Sequence, residues 1–414
     1  MNFKILLSTT FIVSSFSALA QDAKTYAITG NGNGDYRWMN IRQVDISSGK
    51  VIKEVYQSNK TAFVMLDAAT KTQVVNPMNG IVKFKDPAPT ATMVAAAAYD
   101  KKHDKLFFTP MRIGELRWID LSAKGDAKFY TEQTQLLNSL DLKDEANHIT
   151  RMDIAADGNG YAITNDGNHL IRFTTGKKIV VTDLGNLVDA ESNKNGITIH
   201  NRCTSWGGDM IADAYGKLYV ISANHQVFKV DIDTRITTHL GTIINLPANF
   251  TTNGAAVDVD ENIVVSSANS FEGYYKFKLD NFAAVKIEGS DKTYNSSDLA
   301  NCNLLFQKEA DAKRNFGVPT LAPVTTINND ARIFPNPVTA NEFRVLFDGQ
   351  KAGQYVITIS DLSGKAVMST KISVSAKLQS QKVQLLRVVA KGMYLVRVTD
   401  ATNQMIFTER IVVQ

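Results

Sequence analysis

The sequence predicts an all-β chain, a five- to six-bladed β-propeller followed by a C-terminal Ig-like β-sandwich. Three observations carry that reading. A short strand, Tyr26-Ala27-Ile28-Thr29, recurs letter for letter as Tyr161-Ala162-Ile163-Thr164. Aromatic and β-branched residues alternate with polar ones at period two, the mark of half-buried strands. Related units restart 55, 57 and 45 residues apart, near the spacing at which four short strands make one propeller blade.

Taken in order, Met1 to Ala20 comes first, with Lys4, an apolar stretch from Ile5 to Phe16 and the small-residue pattern Ala18-Leu19-Ala20. This is the build of a cleavable secretory signal, and the Ser and Thr residues inside it argue against a membrane anchor. The body, residues 21–306, holds the repeats. Its second strands run at Tyr26–Thr29, Leu106–Thr109, Tyr161–Thr164, Leu218–Ser222 and Ile263–Ser266. Alternating third strands follow, such as Leu116–Asp120, Leu170–Phe173, Val227–Asp231 and Tyr274–Phe277. Before each unit stands a small-residue strand with an acid, suited to the crowded centre of a ring: Ala95–Asp100, Met152–Ala155, Asp209–Asp213, Ala255–Asp258 and Ser297–Ala300.

The last of these strands has no partners after it, and the first strands have no small-residue strand before them. Pairing the two ends closes the ring and leaves no strand edge bare. That gives five blades, with Thr61 to Lys85 either a degenerate sixth or an insertion.

Charge excludes one class of partner. Of the 414 residues, those from 331 onward carry 11 basic and 5 acidic side chains, whereas residues 21–330 carry 33 and 36. The net +4 belongs to the tail, and the body lacks the clustered cations that bind nucleic acid. Two cysteines, Cys203 and Cys302, allow one bridge at most, and two separate buried thiols are the plainer reading. No metal or other cofactor is expected. Asp157-Gly158-Asn159-Gly160 reads as a hairpin turn without the further acids of a calcium loop, and Asp120, Asp153 and Asp231 read as turn and strand-end acceptors.

In a ring of antiparallel blades, the loops joining second to third strands and the links between blades gather at one end. That end collects Asp35, Tyr36, Arg37, Arg112, Glu115, His148, Arg151, Asp166, Arg202, Trp206, His225 and Glu272, with Asp298 in the channel below. Loop ends with Arg, Trp and Tyr are where ligands bind. No nucleophile elbow, zinc helix or phosphate-cradling loop is present, so catalytic residues stay unknown and binding is favoured over chemistry. The expected role is recognition of an extracellular glycan or protein. The alternatives are a hydrolase or lyase using acids and His on this face, and a structural surface component.

Residues 307–330 turn polar, with Pro319 and Pro323, and read as a linker. Residues 331–414 then show alternating strands, the opening Pro335-Asn336-Pro337, and the punctuation Gly353-x-Tyr355, Asp361-x-x-Gly364-Lys365 and Gly392-x-Tyr394. In that order these motifs resemble the type A C-terminal sorting domain of the type IX (Por) secretion system of Bacteroidetes, and the match covers the whole final segment. The resemblance implies recognition by the secretion machinery at the outer membrane, removal of the domain, and a cargo that is released or fixed at the cell surface.

Overall fold

The computed structural model describes residues 24–74 (apart from 33), 88–289, 293–317 and 332–414, the last apart from 340, 349, 362–364, 377, 387, 388 and 403. The leader at 1–20, residues 75–85 of the stretch read as a sixth blade or insertion, the linker after 317, and Gly364 lie outside them. The chain divides into two compact units, Met1–Gly317 and Val318–Gln414.

Among the described residues the first unit is a propeller of five blades. Blade 2 runs outward from Val94–Asp100 through Lys105–Pro110 and Glu115–Asp120 to Ala127–Gln133. Blade 3 starts at Ile149–Ile154, blade 4 at Asp209–Ala212 and blade 5 at Gly254–Val257. Blade 1 is the seam. Its inner strand, Ser296–Ala300, comes from the far end of the unit and pairs antiparallel with Thr25–Thr29, setting Tyr26 opposite Ala300 and Ile28 opposite Asp298. Asn40–Val44 and Val51–Tyr56 complete that blade. The seam expected from the two incomplete units is therefore present.

Phe63–Asp67, in the stretch read as a sixth blade or insertion, is an extra outer strand of blade 2, parallel to Ala127–Gln133. Val188–Asp189 adds a similar parallel strand to blade 4. The segment read as linker also begins differently, since Gln307–Gly317 is an α-helix within the first unit. Its start is tied down by Lys308 N–H on Glu261 Oε1 at 2.6 Å, and Phe306 packs edge-on against Tyr219.

Cores lie between the blades. Ile28, Tyr99, Phe108 and Phe129 fill the space between blades 1 and 2, while Tyr161, Leu218 and Phe228 fill that between 3 and 4. Each such side chain contributes about 1.5–3 kcal/mol when removed from water. Cys203 is exposed and Cys302 half-buried, and both are free thiols, so the reading of two buried cysteines holds in its pairing but not in its burial.

The second unit is a two-sheet sandwich. One sheet holds Arg332–Phe334, Glu342–Asp348 and Leu378–Gln384; the other orders as Ala366–Val374, Gly353–Ser360, Gly392–Asp400 and Met405–Val413. The four-stranded sheet consists of two like hairpins offset by 39 residues. In both, a Tyr hydroxyl donates back four residues, Tyr355 to Lys351 O and Tyr394 to Ala390 O, each at 2.8 Å. Both also turn on an Asp that caps its own loop. Lys365 N–H meets Asp361 Oδ1 at 3.1 Å, and Gln404 N–H meets Asp400 Oδ1 at 2.9 Å. The core, from Ile333 to Val413, includes Phe343, Ile357, Val396 and Ile411.

Candidate functional site

The inner strands of a propeller are blade edges, so their free N–H and C=O groups must find partners inside the ring. Asp298 Oδ2 accepts from Ala97 N of blade 2 at 2.9 Å. Asp209 Oδ2 accepts from Ala255 N of blade 5 at 2.6 Å and from Leu299 N of blade 1 at 3.3 Å. Asp153, read as a strand-end acceptor, takes the Ile154 N–H at 2.8 Å at the end of its strand, and it does so while buried. Burial pushes its carboxyl up to about 8. Burial also raises the Asp209 and Asp298 carboxyls well above the usual range, with added repulsion from Asp298 on Asp209 and from Asp153 on Asp298. Asp120 and Asp231 do cap turns as expected, through Ser122 and through Asp233 and Thr234.

Toward the loop end, three fully buried arginines organise the connections. Arg42 bonds Glu54 Oε1 at 3.0 Å, Gly30 O at 2.6 Å and the Thr29 hydroxyl, and lies over the Tyr294 ring at 3.8 Å. Arg117 forks onto Glu115 at 2.7 and 2.9 Å and reaches Pro89 O at 2.6 Å. Arg151 donates to the carbonyls of Thr164, Ser205 and Gly207, lacing blade 3 to the link before blade 4. Desolvation lowers its pKa to about 10.

Several expected ligand residues are thereby spent inside the protein. Glu115 holds Arg117, Thr131 and Gln133; Arg151 holds backbone; and Asp298 sits in the channel. His148 is buried with its ring on Leu142 O, and the His225 ring contacts Phe250 O from a residue at φ 67°. Asp166 binds Thr164 and Asn168 within its own loop, and Asp35 binds Arg37 and Asn31. None of the hydrogen bonds of Asp166, His225 and Asp298 among the described residues joins them to one another or to the exposed Glu272.

What remains exposed is a rim. Arg202 stands 70% exposed with its guanidinium 4.6 Å from the centre of the Trp206 ring and 3.4 Å from Glu145 Oε2, itself 61% exposed. Trp206 Nε1 has no partner among the described residues. Arg112, Tyr36 and Arg37 are exposed on the same end. Glu145 was not singled out from the sequence, since an acid in a polar stretch carries no signal of its ion-pair partner 57 residues on. The opposite end also has concavities. A cleft of about 250 Å³ is lined by Asp260, Glu261, Lys278 and Phe306, and one of about 210 Å³ by Lys24, Tyr26, Lys53 and Asp120. Among the described residues no group of three or more His, Cys, Asp or Glu is arranged to hold a metal ion, and no helix is long and apolar enough to cross a membrane.

In the sandwich the motif residues serve the fold. Asn336 pairs with the last strand as a backbone would, its Nδ2 donating to Arg410 O at 2.7 Å and its Oδ1 accepting from Val412 N at 3.0 Å. Pro335 and Pro337 flank it on the surface. Tyr355, Tyr394, Asp361 and Lys365 make the corners and turn described above, and Gly353 and Gly392 lie under the edges of the two tyrosine rings.

Among solved structures, the chain resembles PorZ, a surface component of the type IX secretion system of Porphyromonas gingivalis. Identity is 15% over 94% of this chain and 51% of that one, with a TM-score of 0.31. It also resembles virginiamycin B lyase from Staphylococcus aureus (14%, 66% of this chain and 73% of that one, TM-score 0.33). A third is a putative 6-phosphogluconolactonase from Bacteroides uniformis (9%, 68% and 99%, TM-score 0.35). The chain thus spans about half the length of PorZ, and no activity is read across from any of the three. No curated protein matches the chain in sequence. Residues 332–414 match the secretion system C-terminal sorting domain family. The sandwich is therefore the sorting domain of a type IX cargo protein, exported across the outer membrane to the cell surface or the extracellular space.

Proposed function

We propose that the exported propeller is a recognition module for a glycan or protein outside the cell, binding at the rim built by Arg202, Trp206 and Glu145. One observation supports this above the others. While most polar residues at the loop end are consumed by internal bonds, this cation and acid stand open to solvent, held against a half-buried aromatic ring whose Nε1 has no partner among the described residues. Arginine and tryptophan side by side supply both directional bonds and a large flat contact. Residues 1–20 act as the leader that delivers the chain to the periplasm, and the sorting domain takes it from there.

The test is a glycan array and a surface-protein binding screen with the exported chain, repeated with Arg202→Ala and Trp206→Ala. A ligand whose affinity falls at least tenfold in both variants supports the reading. Unchanged binding in both favours a structural surface component. A turnover screen that finds a product where no ligand is found favours the hydrolase or lyase. Separately, a chain ending at residue 330 is expected to remain in the periplasm.

A further inference from the structure

We propose that the channel of the propeller is a buried proton-binding site, in which the Asp209 and Asp298 carboxyls hold a proton between them and so keep the ring closed. This does not depend on what the rim binds. Register places the two carboxyls at one level. Asp209 pairs with Ile221 and Asp298 with Ile28, equivalent positions in the second strands of blades 4 and 1. Blade 5 stands between them, and at this level it carries Gly254, opposite Ser266. A Cβ there would fall 2.9 Å from the Asp298 carbonyl carbon. The missing side chain lets Asp209 reach past blade 5 to the Leu299 N–H, beside Asp298.

A second observation points to a missing hydrogen. Asp298 is fully buried, and its Oδ1 meets no donor among the described residues. Two buried carboxylates within hydrogen-bonding reach of each other repel when both are charged, and one proton turns that repulsion into an O–H···O bond.

The surrounding charges do not relieve the pair. Arg151 opposes Asp209 but spends its donors on carbonyls. Asp153 adds a third carboxyl beside Asp298, and the Cys302 thiol, influenced by Lys101, lies near Asp153. Asp166 faces Arg151. Asp100 of blade 2 is bonded to His103 and the Lys102 N–H, and Asp258 of blade 5 to Asn262 and the Asp260 N–H.

The test uses the full chain. Infrared difference spectra taken from about pH 6 to pH 9 should show a protonated-carboxyl band that fades as pH rises and shrinks in Asp298→Asn and Asp209→Asn. In denaturant titrations the unfolding constant of the native sequence should rise about tenfold per pH unit for each proton retained. Asp298→Asn keeps an oxygen for the Ala97 N–H and should lose one proton's worth of that slope. Absence of the band in the native sequence overturns the proposal without any variant having to fold. Stabilisation by calcium that a chelator reverses would overturn it as well, assigning a cation to the same oxygens.

Discussion

The two units bury different chemistry. Every buried polar or charged side chain among the described residues belongs to the propeller, whereas the sandwich core is apolar but for its tyrosine hydroxyls. The difference follows from topology. Closing blades into a ring turns strand edges inward, where Asp298 and Asp209 accept the N–H groups of Ala97, Ala255 and Leu299, while the three buried arginines serve the carbonyls of the loops and links above. Two stacked sheets place their edges at the surface, where water serves, so the sandwich interior needs only volume.

That contrast is breakable by experiment. The largest expected effect is Arg151→Ala, which strips three buried carbonyls of their donor; a loss of about 3–5 kcal/mol in urea unfolding is expected. A cost below about 1 kcal/mol would mean the lacing is incidental. Next is Ile357→Ala in the sandwich, a cavity worth about 2–4 kcal/mol, equal at pH 5 and pH 9.

The pH response sharpens the comparison further. Asp153 titrates at about 8 when folded, against 3.8 for the ordinary side chain. The folded state therefore binds a proton the unfolded state has released. Stability from this group is complete below about pH 4 and drains away as pH rises through 8, at about 1.4 kcal/mol per pH unit. Hydrogen exchange should record that decline in the propeller and not in the sandwich, and Asp153→Asn should remove one proton's worth of its slope. The smallest effects belong to Tyr355→Phe and Tyr394→Phe, about 1 kcal/mol each. A marked inequality between them would show that the two hairpins, alike in bonding, are not alike in load.

Much of the fold was legible because it rests on repetition. The letter-for-letter strand, the inner strands of small residues and the incomplete first and last units require a closed ring, and Ile28 opposite Asp298 is that closure. The sandwich strands were legible by alternation, least so at the start of Leu378–Gln384. Gln379, Ser380 and Gln381 give an edge strand little apolar pattern to read. The helix Gln307–Gly317 was hidden by its polarity; contacts at its start and the Lys313–Glu309 pair hold it instead of an apolar stripe.

The site was less legible. Arg117 two residues from Glu115, or Arg151 beside a polar loop, looks in sequence like a solvated surface. Only the folded chain shows that the carbonyls of Pro89 and Ser205 lie within reach. Arg202 and Trp206, four residues apart, could be singled out, but their stacking depends on the short helical turn Arg202–Ser205.

The seam also imposes a timetable on manufacture. The inner strand of blade 1 is the last strand of the propeller to be synthesised. Until residue 300 leaves the ribosome, Thr25–Thr29 therefore presents an unoccupied lateral rim to the crowded cell. A chain stalled or clipped just short of that point would retain four finished blades and one sticky flank, a form prone to self-association. The sorting domain is encoded after the closing strand, so any copy that carries this export tag also carries the strand that finishes the ring.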